Sequence, residues 1–153
     1  MDSPTSSLRS GGEPRHPRLT ADELLRIVRE GDNAERFAVA SEENMPVEGL
    51  TALALHAEPG IRGSILANAS VPTSVLELML AAYPDMAPFV ATHPNAPLPL
   101  MERESLAHHT SLSLIGYTRR KGASAAQREA LLLRAAESHG GTLGEAWEQV
   151  LGD

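Results

Sequence analysis

The chain has 153 residues, of which 42% are hydrophobic and only 3% aromatic, and its formal net charge is −7. The length predicts one domain. With so few aromatics the core must consist of Leu, Val, Ile, Ala and Met, which suits closely stacked small helices better than a β-sandwich. The acidic balance makes nucleic acid and anionic membranes improbable partners, because phosphate attraction is the main sequence-independent contribution to such binding.

The sequence contains no cysteine. This excludes disulfides, thiolate zinc sites, cysteine-bound iron–sulfur clusters and a cysteine nucleophile. The N-terminus has no apolar segment of the secretory type, and no apolar run approaches the roughly 20 residues that a membrane-spanning helix needs. We therefore expect a cytoplasmic protein without a membrane partner.

Residues 1–18 are rich in Ser, Pro, Gly and Arg and have few apolar side chains. Such a segment cannot bury enough surface to offset its ordering entropy, so we expect a disordered tail. The ordered part then begins with the capping box Thr20-Ala-Asp-Glu23, which predicts a helix start. Gly31 is placed to end that helix.

The next elements alternate in length along the chain. A short segment at 34–40 precedes a long helix from Pro46 to about His56, and proline suits the first turn because its missing N–H would be unpaired there. The same alternation returns as short segments at 61–68 and 86–92 and long helices at 72–82 and 97–109.

These units keep a fixed register. Ala21, Pro46, Pro72 and Pro97 follow one another at spacings of 25, 26 and 25 residues. A period of this size indicates a solenoid, in which each unit buries its apolar face by stacking on the next.

The repeat pattern weakens before residue 110. Glu104 and Ser105 occupy the places that Met79 and Leu80 hold one unit earlier, as expected of a terminal repeat with a more polar face. Capping boxes beginning at Ser124 and Thr142 then predict a helix over 125–138 and a last helix. We interpret residues 110–153 as a C-terminal helical cap.

Two stretches carry a resemblance to a known family. Ile61-Arg62-Gly-Ser-Ile-Leu-Ala-Asn68 and Val71-Pro72-Thr-Ser-Val-Leu76 match the two halves of the leucine-rich repeat variant unit, and His93-Pro94-Asn95-Ala96-Pro97 is close to its corner. The resemblance covers about residues 20–109 and places a variant-repeat solenoid at 19–109; a generic HEAT-like helical array is the alternative.

This resemblance implies an all-α fold, a right-handed solenoid of alternating long α-helices and short 3₁₀-like helices. Some family members add a cysteine cluster that binds iron–sulfur. The absence of cysteine here means that this function does not carry over, and we expect no cofactor.

Arg36 and Arg62 occupy the same repeat position and are candidate partner-binding residues on one face. The alternative is that each arginine neutralises carboxylates or caps carbonyl groups of the preceding helix, and Ala87 interrupts the series in the third unit. His93 stands at a corner position that is usually Asn in the family, and we include it among the candidates.

The other candidates lie in the C-terminal part. Arg119 and Arg120 precede Lys121 in the one basic cluster, which either contacts a partner or forms a solvated turn near a helix C-terminus. Trp147 either anchors a partner, as Trp does at many interfaces, or fills the core of the cap. His56, His93, His108 and His109 lack the spacing of a metal motif.

No paired nucleophile and base, metal cluster or phosphate-binding loop is found in the sequence. We therefore expect a non-catalytic protein–protein interaction module that binds a protein or peptide, with a homodimer possible. The alternatives are an accessory subunit of an enzyme and a small nucleic-acid-associated regulator that uses the Arg-rich tail and the 119–121 corner.

Overall fold

A computed structural model describes residues 18–137 and 140–152 of the chain. Within these ranges the protein is all-α, as predicted, with ten α-helices and three short 3₁₀ turns. Residues 1–17, which hold most of the predicted disordered tail, lie outside the described part. No helix among the described residues is long and apolar enough to cross a bilayer. The helices are α1 (Ala21–Glu30), α2 (Asn33–Val39), α3 (Val47–Ala54), α4 (Pro59–Ser64), α5 (Thr73–Ala82), α6 (Ala87–Val90), α7 (Leu98–Arg103), α8 (Ser111–Arg120), α9 (Ala125–Ala136) and α10 (Leu143–Gly152).

Capping boxes begin several of these helices. Those predicted at Thr20 and Ser124 are confirmed, with side chain and backbone exchanging hydrogen bonds across three residues. The same exchange joins Thr142 to Glu145 before α10. Two further boxes, which begin at Asp32 and Thr110, were not predicted. Each box satisfies N–H groups that the first helical turn leaves without partners.

Pro46, Pro72 and Pro97 are the N-cap residues of α3, α5 and α7, one position before the first helical residue. Pro46 and Pro72 have extended backbone, with ψ of 154° and 155°. Proline fixes φ near its helical value and lacks the N–H that would be unpaired there. We call the non-helical residues that end at these prolines (40–46, 68–72 and 91–97) the Pro corners.

The core repeats along the chain with the same register as the prolines. Leu24, Leu50, Leu76 and Met101 are all buried and lie one repeat apart on α1, α3, α5 and α7. Helix α3 packs between α1 and α5, and the short helix α2 packs against α4. Neighbouring units therefore bury their apolar faces against each other.

Side chains of each unit also bind the Pro corner of the unit before it. Asn68 donates through Nδ2 to the carbonyl oxygens of Ala40 and Glu42, at 3.1 and 2.9 Å. One unit later, Asn95 donates to the carbonyl oxygens of Ala69 and Val71, at 2.9 and 2.8 Å. The corners are thus joined by hydrogen bonds as well as by apolar packing.

The third long helix is shorter than predicted. The sequence indicated a helix from Pro97 to about His109, but α7 ends at Arg103 and Glu104 takes extended backbone. The reason is a tertiary contact: the N–H of Leu106 donates to the Gly141 carbonyl oxygen and the N–H of Leu143 to that of Glu104, both at 3.0 Å. These bonds to the segment before α10 replace a continued helix.

The C-terminal helices pack on the last corner and on α7. A Cβ atom at Gly116 of α8 would lie 2.4 Å from the carbonyl oxygen of Pro94, so only glycine fits this approach. Helix α10 contacts both α7 and α9. Tyr117 and Trp147 meet edge to face, with ring centroids 5.8 Å apart.

We predict that Asn68→Ala lowers the free energy of unfolding by about 1–3 kcal/mol, because the buried carbonyl group of Ala40 loses its side-chain donor, while that of Glu42 keeps only its bond from the Met45 N–H. Urea denaturation measures the loss. Asn33→Ala on exposed α2 is the matched control, expected to change stability by about 0.5 kcal/mol or less. Equal losses in the two variants would contradict a special role for the corner bonds.

Candidate interaction surface

Arg36 and Arg62 both turn toward the end of the preceding long helix. Arg36 donates through Nε to the carbonyl oxygen of Val28, at 2.9 Å. Arg62 donates through Nη1 to the carbonyl oxygens of His56 and Ala57, at 3.1 and 3.0 Å. Val28 lies in the last turn of α1, whose final carbonyl groups have no partner within the helix, so Arg36 makes the capping contact of the alternative interpretation. Arg62 instead binds the loop that follows α3, which ends at Ala54.

Arg62 is also held by stacking. Its guanidinium carbon lies 3.7 Å from the centre of the Tyr83 ring, and only 6% of the residue is exposed. A cation over an aromatic face is attracted by the ring quadrupole. The arginine thus links the end of α3 to the residue that follows α5, and a partner-binding role for it remains a prediction.

His93 takes the place in the third corner that Asn68 takes in the second. Its Nδ1 accepts from the N–H of Asn95, at 3.0 Å, as Asn68 Oδ1 accepts from the N–H of Ser70. Nε2 therefore carries the proton and donates to the carbonyl oxygen of Asn68, at 2.9 Å. Burial lowers the pKa of His93, and the nearby Arg120 charge adds to this effect. His93 is a neutral donor–acceptor that replaces an asparagine.

The other histidines make contacts of their own. His109 bonds to the carbonyl oxygen of Met101 through Nε2 and to Ser113 Oγ through Nδ1, and burial lowers its pKa. His108 pairs with Glu104 one turn earlier. Among residues 18–137 and 140–152, no three His, Cys, Asp or Glu side chains are grouped as a metal would require.

Two members of the basic cluster contact the chain itself. Arg120 donates through Nη2 to the carbonyl oxygens of Pro94 and Ala96, at 3.2 and 2.5 Å. Lys121 Nζ lies 3.4 Å from Glu102 Oε2. Arg119, the first residue of the cluster, is exposed. Arg120 thus binds the last corner as Asn95 binds the one before.

Trp147 is buried in the cap, with 6% of the residue exposed. Its neighbour Tyr117 is wholly buried and donates its hydroxyl to Glu102 Oε2, at 2.7 Å. Burial and this bond raise the pKa of Tyr117. Trp147 therefore occupies the position of a core residue, which is the second of the two interpretations that its sequence context allowed.

The most exposed aromatic side chains lie on the short helices instead. Phe37 on α2 and Phe89 on α6 are 59% and 64% exposed, and they are the only two phenylalanines in the chain. Between them, α4 presents Gly60 and Gly63. A Cβ atom on Gly60 would meet nothing within 4 Å, and one on Gly63 would meet only Met86 Cε, at 4.0 Å. We call Phe37, Gly60, Gly63 and Phe89, together with the two hollows described next, the aromatic surface.

Two neighbouring hollows, each of about 330 Å³, lie on the aromatic surface. Phe37 borders the first and Phe89 the second, and both hollows share Gly60 and Gly63. This volume is at the lower end of the range for ligand pockets and is large enough for a side chain or two. The remaining lining is mostly small or apolar: Ser41, Ser64 and Ala67 in the first hollow, and Pro59, Leu66 and Met86 in the second.

The charges around the aromatic surface are almost all negative. Residues 31–97 contain eight carboxylates and two basic residues, Arg36 and Arg62. Both arginines donate to backbone carbonyl groups. Glu58 and Asp85 are exposed and immediately precede lining residues of the hollows.

Sequence reasoning missed Phe37 and Phe89 because an apolar residue in a short helix is normally counted toward the core. A signal was available: the core is otherwise aliphatic, and the two phenylalanines stand outside its register. The glycines of α4, one turn apart, were a second signal, because Gly lowers helix stability and needs another reason to be there.

Comparison of the chain with protein-family models, with curated proteins and with solved structures gives no significant match.

We predict that the free energy of unfolding falls less steeply on acidification in His93→Asn than in the wild type. The folded-state pKa of His93 lies below its ordinary value of 6.5, so the unfolded chain takes up the proton first. The stabilisation is therefore complete above about pH 6.5 and declines as the pH falls toward the folded-state pKa. Asparagine keeps a donor and an acceptor but does not titrate.

Urea denaturation at about pH 7.5 and pH 5.5 measures the difference between these variants. His109, whose pKa is also lowered, remains in both proteins, so the decline should shrink without disappearing. An unchanged pH dependence in His93→Asn would contradict the neutral state assigned to His93.

Proposed function

We propose that the protein is a non-catalytic interaction module that binds a protein partner through the aromatic surface. The observation that carries the proposal is the exposure of Phe37 and Phe89 on either side of two hollows floored by glycine. Large apolar side chains gathered on one surface cost free energy in water, so such patches commonly mark binding sites. Rigid aromatic rings also lose little entropy on binding.

We further propose that the architecture is a helical solenoid of the leucine-rich repeat variant type over residues 19–109, closed by the cap at 110–153. Three observations support it: the proline register, the buried residues one repeat apart, and the corner bonds across about 25 residues. A solenoid suits this function because its repeated short helices form an extended surface.

Of the alternatives, an accessory subunit of an enzyme would use the same surface, and identification of the partner distinguishes it. The nucleic-acid alternative has less support. Arg120 donates to backbone carbonyl groups and Lys121 lies beside Glu102. Two of the three residues of the basic cluster at 119–121 therefore have partners within the chain.

We predict that Phe37→Ser and Phe89→Ser each reduce capture of the native partner about tenfold or more, because truncation of a central apolar anchor commonly costs 2 kcal/mol or more. The immobilised full chain is incubated with lysate of the source organism, and bound proteins are quantified by mass spectrometry. Both variants should keep their stability to within about 0.5 kcal/mol, since the side chains are exposed.

Leu133→Ser is the matched control, because Leu133 is 56% exposed on α9, away from the aromatic surface. The proposal expects a protein that the wild type and Leu133→Ser both retain and that the two phenylalanine variants lose. Equal capture by all four proteins would contradict it.

A further inference from the structure

We infer that the occupant of the aromatic surface is an amphipathic helix of the partner, with two apolar anchors seven residues apart and Lys or Arg beside them. The inference rests on the proposed function and names the chemistry of the partner. It is drawn from the charge around the surface and from the arrangement of the two hollows.

The charge around the aromatic surface favours a basic partner. Glu58 and Asp85 stand beside the hollows, while Arg36 and Arg62, the only basic residues between 31 and 97, are directed at carbonyl groups. A partner helix with Lys or Arg next to its anchors meets this negative surface favourably. A second copy of the chain would instead bring like charges together, and like-charge juxtaposition disfavours association.

The arrangement of the hollows selects a helix. Residues of α2 and α4 border the first hollow, and residues of α4 and α6 border the second. Helix α4 lies between the two hollows, and neighbouring helices in proteins are commonly about 8–10 Å apart, so we take roughly that distance as the separation of the hollows. Helix residues at i and i+7 lie on one face about 10.5 Å apart at 1.5 Å per residue.

An extended strand fits the same two hollows less well. Residues on one face of a strand are separated by about 6–7 Å or about 13 Å, and neither spacing matches. Helices that insert into grooves bind through anchors at i, i+3 or i+4, and i+7. A helix therefore reaches both hollows with ordinary geometry.

The glycines of α4 allow the helix to come close. Gly60 and Gly63 leave the shared floor of the hollows without side chains. A Cβ atom at Gly63 would meet only Met86 Cε, at 4.0 Å, so a side chain can leave the backbone there without a clash and extend over that floor. Gly63→Leu therefore blocks the hollows and keeps the helix, since Leu is a better helix former than Gly.

The test is a selection from a displayed library of random 16-residue peptides against the full chain, with binders to Gly63→Leu removed. We expect the recovered peptides to carry apolar residues seven positions apart and an excess of Lys and Arg. A synthetic copy should bind the wild type about tenfold or more tightly than it binds Phe37→Ser or Phe89→Ser. Replacing its Lys and Arg by Glu should weaken binding by a similar factor.

The outcomes separate the two proposals. Acidic binders, or binders without the seven-residue spacing, overturn the inference but leave an interaction surface in place. A self-association that Gly63→Leu abolishes overturns it in favour of a second copy. Leu8 is the one leucine of residues 1–17. If Leu8→Ser binds the peptide more tightly than the wild type does, the occupant is the chain's own N-terminal segment and the inference is overturned. If no peptide distinguishes the wild type from Gly63→Leu, the proposed function fails as well.

Discussion

The fold depends on how the Pro corners satisfy their backbone carbonyl groups. A corner has neither helix nor strand to supply donors, and its proline has no N–H. Buried carbonyl groups without partners are costly. Here turn bonds within each corner supply some donors, and side chains about 25 residues further along the chain supply others: Asn68 binds the first corner, and His93 and Asn95 bind the second. The first two corners are therefore completed by side chains from about 25 residues later in the chain.

The same requirement explains how the series ends. The third corner has no fourth unit behind it, and Arg120 at the end of α8 donates to the Pro94 and Ala96 carbonyl oxygens instead. Gly116 allows α8 to come close enough for this contact. The basic cluster that suggested a binding site in the sequence thus includes a residue that terminates the stack.

Much of the helical framework could be predicted because it rests on local signals. Capping boxes, prolines and apolar spacing place most helices to within about two residues. The shortened α7 could not be predicted, since its end is set by Gly141 and Leu143, nearly forty residues away along the chain. The aromatic surface was missed for a related reason. Apolar residues such as Phe37 and Phe89 are normally expected to be buried, and only the way the helices pack shows that these two are exposed.

The corner and capping contacts also shape the aromatic surface. Arg36 and Arg62 lie on the short helices that form it, yet their guanidinium groups bind a carbonyl group in the last turn of α1 and two carbonyl groups of the loop after α3. Their positive charge is thereby drawn toward backbone oxygens, while the carboxylates near the hollows remain exposed. The same two arginine contacts thus join successive parts of the chain and leave the exposed carboxylates beside the hollows without a nearby basic side chain among the described residues at the surface, which is why we propose a basic partner helix.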